Sequence, residues 1–134
     1  MTADFVIHVD GGSRGNPGPA GYGVVICDPE GAVLDRIYAS VGHQTNNFAE
    51  YSGLLAALRY AIAHGAKQVR ILADSQLLVR QMEGRYAVKS PNLRPLFAEA
   101  RRLALQIPSF SLTHVYREQN READRLANLA MDGK

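Results

Sequence analysis

The hydrophobic period of this chain changes near residue 45, and that change limits the possible folds more than any other feature of the sequence. Before it, short apolar runs are separated by turn formers. Phe5-Val-Ile-His-Val9 reads as a first strand ending at Asp10, and Gly11-Gly-Ser-Arg-Gly-Asn-Pro-Gly18 follows as a dense run of turn residues. Tyr22 to Cys27 reads as a second strand, and Asp28-Pro-Glu-Gly31 turns the chain into a third, from Ala32 to Val41. Beyond the change, Tyr51, Leu54, Leu55, Leu58, Ala61 and Ile62 recur at helical spacing, with Gly65 placed to end the helix. Val69 to Leu72 is a short strand running to Asp74, and Ser75 to Met82 is a short helix stopped by Gly84. Pro91 or Asn92 opens a longer helix reaching about Gln106. Phe110 to Tyr116 alternates as a fifth strand, and Asn120 to Met131 is a final helix with Ala123, Leu126, Ala127 and Ala130 on its apolar side.

The order βββαβααβα combines an antiparallel meander with strands that return through helices. Such returns are right-handed crossovers, so strands one, four and five pair in parallel. The expectation is an α/β fold, a mixed five-stranded sheet covered by helices, in one domain spanning 1–134. Hydrophobic residues at 46% and charged residues at 21% give it a core of its own and exclude disorder. No segment approaches the roughly 20 apolar residues that span a bilayer, and Asp4 stands where a secretory leader carries positive charge. A soluble cytoplasmic protein with no membrane partner is expected, and a monomer, since no apolar stripe calls for a second copy. The single cysteine, Cys27, excludes an internal disulfide and a cysteine-based zinc site, and reads as a small buried thiol. A net charge of +2 does not mark a nucleic-acid binder, although 12 of the 15 basic residues are arginine, the side chain better shaped for phosphate.

Four carboxylates carry the chemistry, and each has an ordinary local explanation. Asp10 suits an Asx-turn. Glu50, three residues after Asn47, suits a capping box. Asp74 suits the N-cap of the short helix, and Asp124 the first turn of the last one. Their placement together argues for more. Asp10 and Asp74 end two neighbouring strands at the carboxyl edge of the parallel part, where α/β sheets bind ligands. Glu50 and Asp124 start helices that lean over the same edge. Four carboxylates in one small cleft repel and resist ionising unless a divalent cation joins them. Oxygen donors without histidine or cysteine suit Mg²⁺ or Mn²⁺ better than zinc.

Four blocks of the sequence resemble type 1 ribonuclease H. They are Asp10-Gly-Gly-Ser-Arg-Gly-Asn-Pro-Gly18 with Gly21-Tyr-Gly23, Thr45-Asn-Asn-Phe-Ala-Glu50, Asp74-Ser-Gln76, and Asn120-Arg-Glu-Ala-Asp124-Arg-Leu-Ala127. The resemblance implies the ribonuclease H-like fold and an endonuclease that cuts the RNA strand of an RNA–DNA hybrid, leaving 5′-phosphate and 3′-hydroxyl ends. It implies that Asp10, Glu50, Asp74 and Asp124 hold two Mg²⁺ ions, with Mn²⁺ as a substitute. It also implies that Gly11, Gly12, Ser13, Asn16, Asn46 and Gln76 contact the minor-groove side, where the 2′-hydroxyl distinguishes RNA. Asn47 would place the DNA strand, and Thr45 with Asn16 would form part of a DNA-phosphate pocket.

Two departures mark a short form of that family. The link between the fifth strand and the last helix, Arg117-Glu-Gln-Asn120, lacks the histidine loop many bacterial members carry; Arg117 or Glu118 is the candidate substitute, and His114 reads as structural. The chain has no tryptophan, and Gly84 to Ser90 offers only Arg85 and Lys89 where some members carry a basic protrusion. Two alternatives stand beside the enzyme: a non-catalytic hybrid-binding module, and the ribonuclease H half of a larger fusion protein.

Overall fold

The computed structural model describes residues 4–134, so the part of the leader reading that rests on residues 1–3 lies outside them. The elements follow the expected order: β1 (Phe5–Ser13), β2 (Gly18–Cys27), β3 (Val33–Gln44), α1 (Asn46–Ala63), β4 (Gln68–Ala73), α2 (Gln76–Met82), α3 (Arg94–Ala104), β5 (Ser109–His114), a 3₁₀ turn (Arg117–Gln119) and α4 (Arg121–Met131). The sheet runs β3-β2-β1-β4-β5. β1/β2 and β2/β3 are antiparallel, while β1/β4 and β4/β5 are parallel, as crossover connections require.

Alternation along β2 separates two layers. Val24 and Ile26 join Ile7, Val9 and Ile71 beneath α1 and α3, whereas Val25 and Cys27 face Ala123 and Leu126 of α4. α1 is the central helix, burying Tyr51, Leu54, Leu55 and Leu58 with small residues Ala49, Gly53, Ala57 and Ala61 between them. Cys27 is buried and free, as its apolar setting predicts.

The boundaries differ from expectation where backbone pairing outweighs side-chain preference. Gly11, Gly12 and Ser13, read as turn, pair with Tyr22, Gly21 and Ala20, so β1 and β2 are each longer than their apolar cores. Glycine is needed at 11 because α1 lies directly on the strand: a Cβ there would meet the Ala49 carbonyl carbon at 2.5 Å and the Glu50 nitrogen at 2.6 Å. The α3 helix begins at Arg94, after a turn through Pro91, Asn92 and Leu93, and β5 ends at His114, short of Tyr116.

Candidate active site

The paired strands bring the acids together. Val9 of β1 is opposite Ala73 of β4, so the next residues, Asp10 and Asp74, emerge side by side at the carboxyl edge. Asp10 shares the sheet face of His8 by alternation, and that face is covered by α4, whose first turn carries Asp124. Glu50 enters from α1. All four line one cleft of about 610 Å³.

The local explanations fail for three of them. Asp10 lies within β1, opposite Gly23, and not in a turn. Thr45 is the N-cap of α1, its Oγ1 accepting from the Phe48 N–H at 3.2 Å, which leaves Glu50 a turn too far along for a capping box. Ser75, not Asp74, caps α2, through Oγ and the Leu78 N–H at 3.1 Å. Asp124 does occupy the first turn of α4.

Electrostatics set these acids apart. Burial, then the neighbouring Asp74 charge, with Asp124 and Glu50 adding to it, holds the Asp10 carboxyl far above the ordinary carboxylate range. Burial pushes Glu50 up to about 7, opposed by a hydrogen bond from Ser75 and reinforced by Asp74. None of the ion pairs among the described residues involves any of the four acids. No trio of acidic, histidine or cysteine side chains among those residues is drawn together as a finished metal cage. The donor set nonetheless fits hard divalent cations, because it offers oxygen alone and because the repulsion raising Asp10 and Glu50 is what a cation relieves.

Around the acids, Gly11, Gly12, Ser13, Asn46 and Asn47 line the same cleft. The Asn46 side chain ties α1 to the end of β1: its Oδ1 accepts from the Ser13 N–H at 2.8 Å and the Ser13 hydroxyl at 3.2 Å. Asn16, outside the lining, accepts from the Asn46 N–H at 3.0 Å. Thr45 and Gln76 also lie outside the lining, one as the α1 cap and the other exposed at the start of α2. Of the two candidate assisting residues, Arg117 lines the cleft and Glu118 does not.

His114, read as structural from its place in the strand, stands at the cleft. It lines the cleft and makes an edge contact at 5.5 Å with Tyr116, whose exposed ring stands on the same wall. The signal available in the sequence was its position: His114 ends β5 as Ala73 ends β4, one residue before Asp74. Arg14, Ser75, Val115, Asn128 and Met131 complete the lining without having been singled out. A second groove, of about 620 Å³ between α3 and β5, holds no clustered acids. Flanking the segment from Gly84 to Ser90, Arg80 of α2 donates to the Tyr86 hydroxyl at 2.8 Å and Arg94 of α3 to the Val88 carbonyl at 3.2 Å.

Comparison with known proteins agrees with this fold. A family described as reverse transcriptase-like matches residues 8–130. The bifunctional protein Rv2228c of Mycobacterium tuberculosis is 49% identical over 128 residues, which are 95% of this chain and 35% of that protein; the chain therefore spans about a third of its length. The solved N-terminal RNase H domain of Rv2228c superposes with a TM-score of 0.93 at 47% identity, covering 98% of this chain and 96% of that one. Ribonuclease HI of Halobacterium salinarum is 41% identical over 125 residues, 93% of this chain and 63% of that protein. Its crystal structure gives a TM-score of 0.92 at 39% identity, covering 97% and 98% of the two chains. LC11-RNase H1, solved in complex with an RNA/DNA hybrid, gives 0.90 at 43% identity, covering 96% and 97%.

Proposed function

We propose that this chain, which belongs to the ribonuclease H family, hydrolyses the RNA strand of RNA–DNA hybrids with divalent metal, leaving 5′-phosphate and 3′-hydroxyl ends. The observation that carries the proposal is the convergence of Asp10, Glu50, Asp74 and Asp124 on one cleft with Asp10 and Glu50 resisting ionisation. The likeness to a relative solved with a hybrid bound supports the choice of substrate.

Two Mg²⁺ ions, or Mn²⁺ in their place, would be held by the four carboxylates. Bound there, the ions supply a more acidic attacking water and positive charge for the departing 3′ oxygen. The carboxylates themselves would bind and orient, without attacking phosphorus. The Gly11-Gly12 backbone lines the cleft and offers its peptide groups to a nucleic-acid strand, and Ser13, Asn46 and Asn47 offer polar atoms to sugar hydroxyls and base edges on one wall. Asn16, Thr45 and Gln76 extend that wall beyond the cleft, contacting the strands further from the cut. On the opposite wall Arg117 offers a forked cation to a phosphate, in the place where other members carry a histidine, while Glu118 is not part of this lining.

The test is an end-labelled RNA–DNA hybrid beside matched RNA–RNA and DNA–DNA duplexes, each with Mg²⁺, Mn²⁺ or EDTA. The expected result is cleavage of the hybrid's RNA strand alone, abolished by EDTA and by Asp10→Asn. A folded protein that binds the hybrid and cuts nothing with either metal would instead be a binding module.

A further inference from the structure

Asn120 occupies the N-cap position of α4, where asparagine ordinarily bonds a helix N–H, yet its side chain makes no capping bond. It is 1% exposed, one of two buried polar side chains among the described residues. Its hydrogen bonds run instead to β1. Nδ2 donates to the Val9 carbonyl at 2.8 Å, and Oδ1 faces His8 Nδ1 at 3.0 Å. With Oδ1 as the acceptor, His8 must carry its proton on Nδ1. Meanwhile the Asn120 backbone carbonyl accepts from the Asp124 N–H at 3.1 Å.

This one residue therefore bonds on one side to the peptide preceding Asp10 and on the other to Asp124 itself. The parallel ladder of β1 with β4 stops at the Val9–Ala73 pair, so β1 is released from β4 at the point where Asp10 begins. The amide of Asn120 takes up the Val9 carbonyl there. We infer that Asn120, braced by His8, is a positioning residue that fixes the distance between Asp10 and Asp124 and so sets the affinity of the site for divalent metal. The inference rests on the carboxylates being metal ligands, as proposed above. Its physical basis is that two ligands held at a fixed separation before the ion arrives bind it more tightly than two free to drift, and this one residue bonds the backbone beneath both. A buried amide with donor and acceptor both satisfied is a rigid tie.

The test separates positioning from helix capping and from general stability. Metal-free protein is titrated with Mn²⁺, and free Mn²⁺ is read by electron paramagnetic resonance. The variants are Asn120→Ala, Asn120→Ser, His8→Ala and Gln81→Ala. Serine preserves a good helix cap but is too short to span both β1 partners. Gln81 is the other buried polar side chain, bonded to the Tyr51 hydroxyl at 2.8 Å and away from the cleft, and controls for loss of a buried hydrogen bond. Asn120→Ala and Asn120→Ser are each expected to weaken Mn²⁺ binding by about tenfold or more, the range for losing a partner that orients a metal ligand. Gln81→Ala should lower the melting temperature without that loss. With hybrid substrate, kcat at fixed metal should fall in both Asn120 variants while KM for the hybrid stays near wild type.

Wild-type Mn²⁺ affinity in Asn120→Ala, its restoration in Asn120→Ser, or an equal loss in Gln81→Ala would each overturn the positioning role. His8→Ala removes one of the two bonds and decides the case should neither Asn120 variant fold. A weakening of roughly threefold is expected, the worth of one net hydrogen bond, and wild-type affinity would count against the inference. A wild type that binds no Mn²⁺, or binds it equally well as Asp10→Asn, would remove the premise instead.

Discussion

Helix α4 carries two acids two residues apart that live in opposite electrostatic worlds. Glu122 faces solvent between Arg36, at 2.9 Å, and Arg125, at 2.6 Å, and these guanidinium groups draw its carboxyl down to about 2. Asp124 lines the cleft, where it is in no ion pair and where Asp10 and Glu50 are pushed up. Asp132 with Arg14 and Glu99 with Arg102 repeat the surface pattern. Four surface acids, Glu83, Glu99, Glu122 and Asp132, are paired with arginine, and the four cleft acids are in none of the ion pairs among the described residues. The difference teaches that the cleft gives up stability to hold charge in readiness, the expected mark of a site and not of a scaffold.

The sharpest way to break this comparison is Asp10→Asn. Losing a ligand that helps place the ions forfeits several kcal/mol of charge stabilisation, so hybrid cleavage should fall about 10³-fold or more. In EDTA at pH 8 the same variant should melt higher than wild type, because a self-repelling acid has gone. A lower melting temperature there would mean that the cleft acids are not in conflict.

The shared helix offers the next test. α4 lies so close to β2 that a Cβ at Gly23 would meet the Ala123 carbonyl oxygen at 2.4 Å and Leu126 Cβ at 2.6 Å. Gly23→Ala should cost about 2–3 kcal/mol in urea unfolding as the helix is pushed off the sheet, and cleavage should drop with it as Asp124 moves. Unchanged cleavage at that stability loss would show that the cleft tolerates displacement of α4.

Titration sharpens the contrast further. Asp10 and Glu50 are harder to ionise in the folded chain than in the unfolded one, so their contribution to stability is complete at low pH and is lost as pH rises. For Glu50 the window runs from its ordinary 4.5 up to about 7, and the loss across it is about 3 kcal/mol at most. Surface acids such as Glu122 have the opposite sign, their contribution being lost as pH falls towards 2. Melting curves in EDTA should thus decline from pH 5 to pH 8, and Mg²⁺ should raise the melting temperature more at pH 8 than at pH 5. An equal Mg²⁺ effect at both would contradict the raised Glu50.

The smallest effect belongs to the surface. Glu122→Gln should change stability by about 1 kcal/mol or less, since exposed pairs are screened, and should leave hybrid cleavage at the wild-type rate. A large loss of cleavage would mean that the surface pairs help to place Asp124.

Much of this was legible in the residues alone. The hydrophobic period gave every element in order, and right-handed crossover then required β1, β4 and β5 to be parallel neighbours, with Asp10 and Asp74 at one edge. Boundaries were less legible at Gly11–Ser13 and Gly18–Gly21, because a strand is held there by backbone bonds that glycine neither favours nor forbids. Caps were misassigned for a related reason. Thr45, Asn47, Asp74 and Ser75 are all competent capping residues, and only the path of the backbone chooses among them.

Sequence by itself therefore determined the fold class, the four acids and the oxygen-only donor set, since these follow from periodicity and residue chemistry. Tertiary structure decided the rest. His114 joined the cleft wall through the β4/β5 register, and Arg117 lines the cleft while Glu118, the next residue of the same 3₁₀ turn, does not. Asn120 turned from a helix cap into a tie between β1 and α4. Each of these depends on residues more than 30 positions apart meeting at fixed distance, and no local pattern encodes a distance between elements that packing alone brings together.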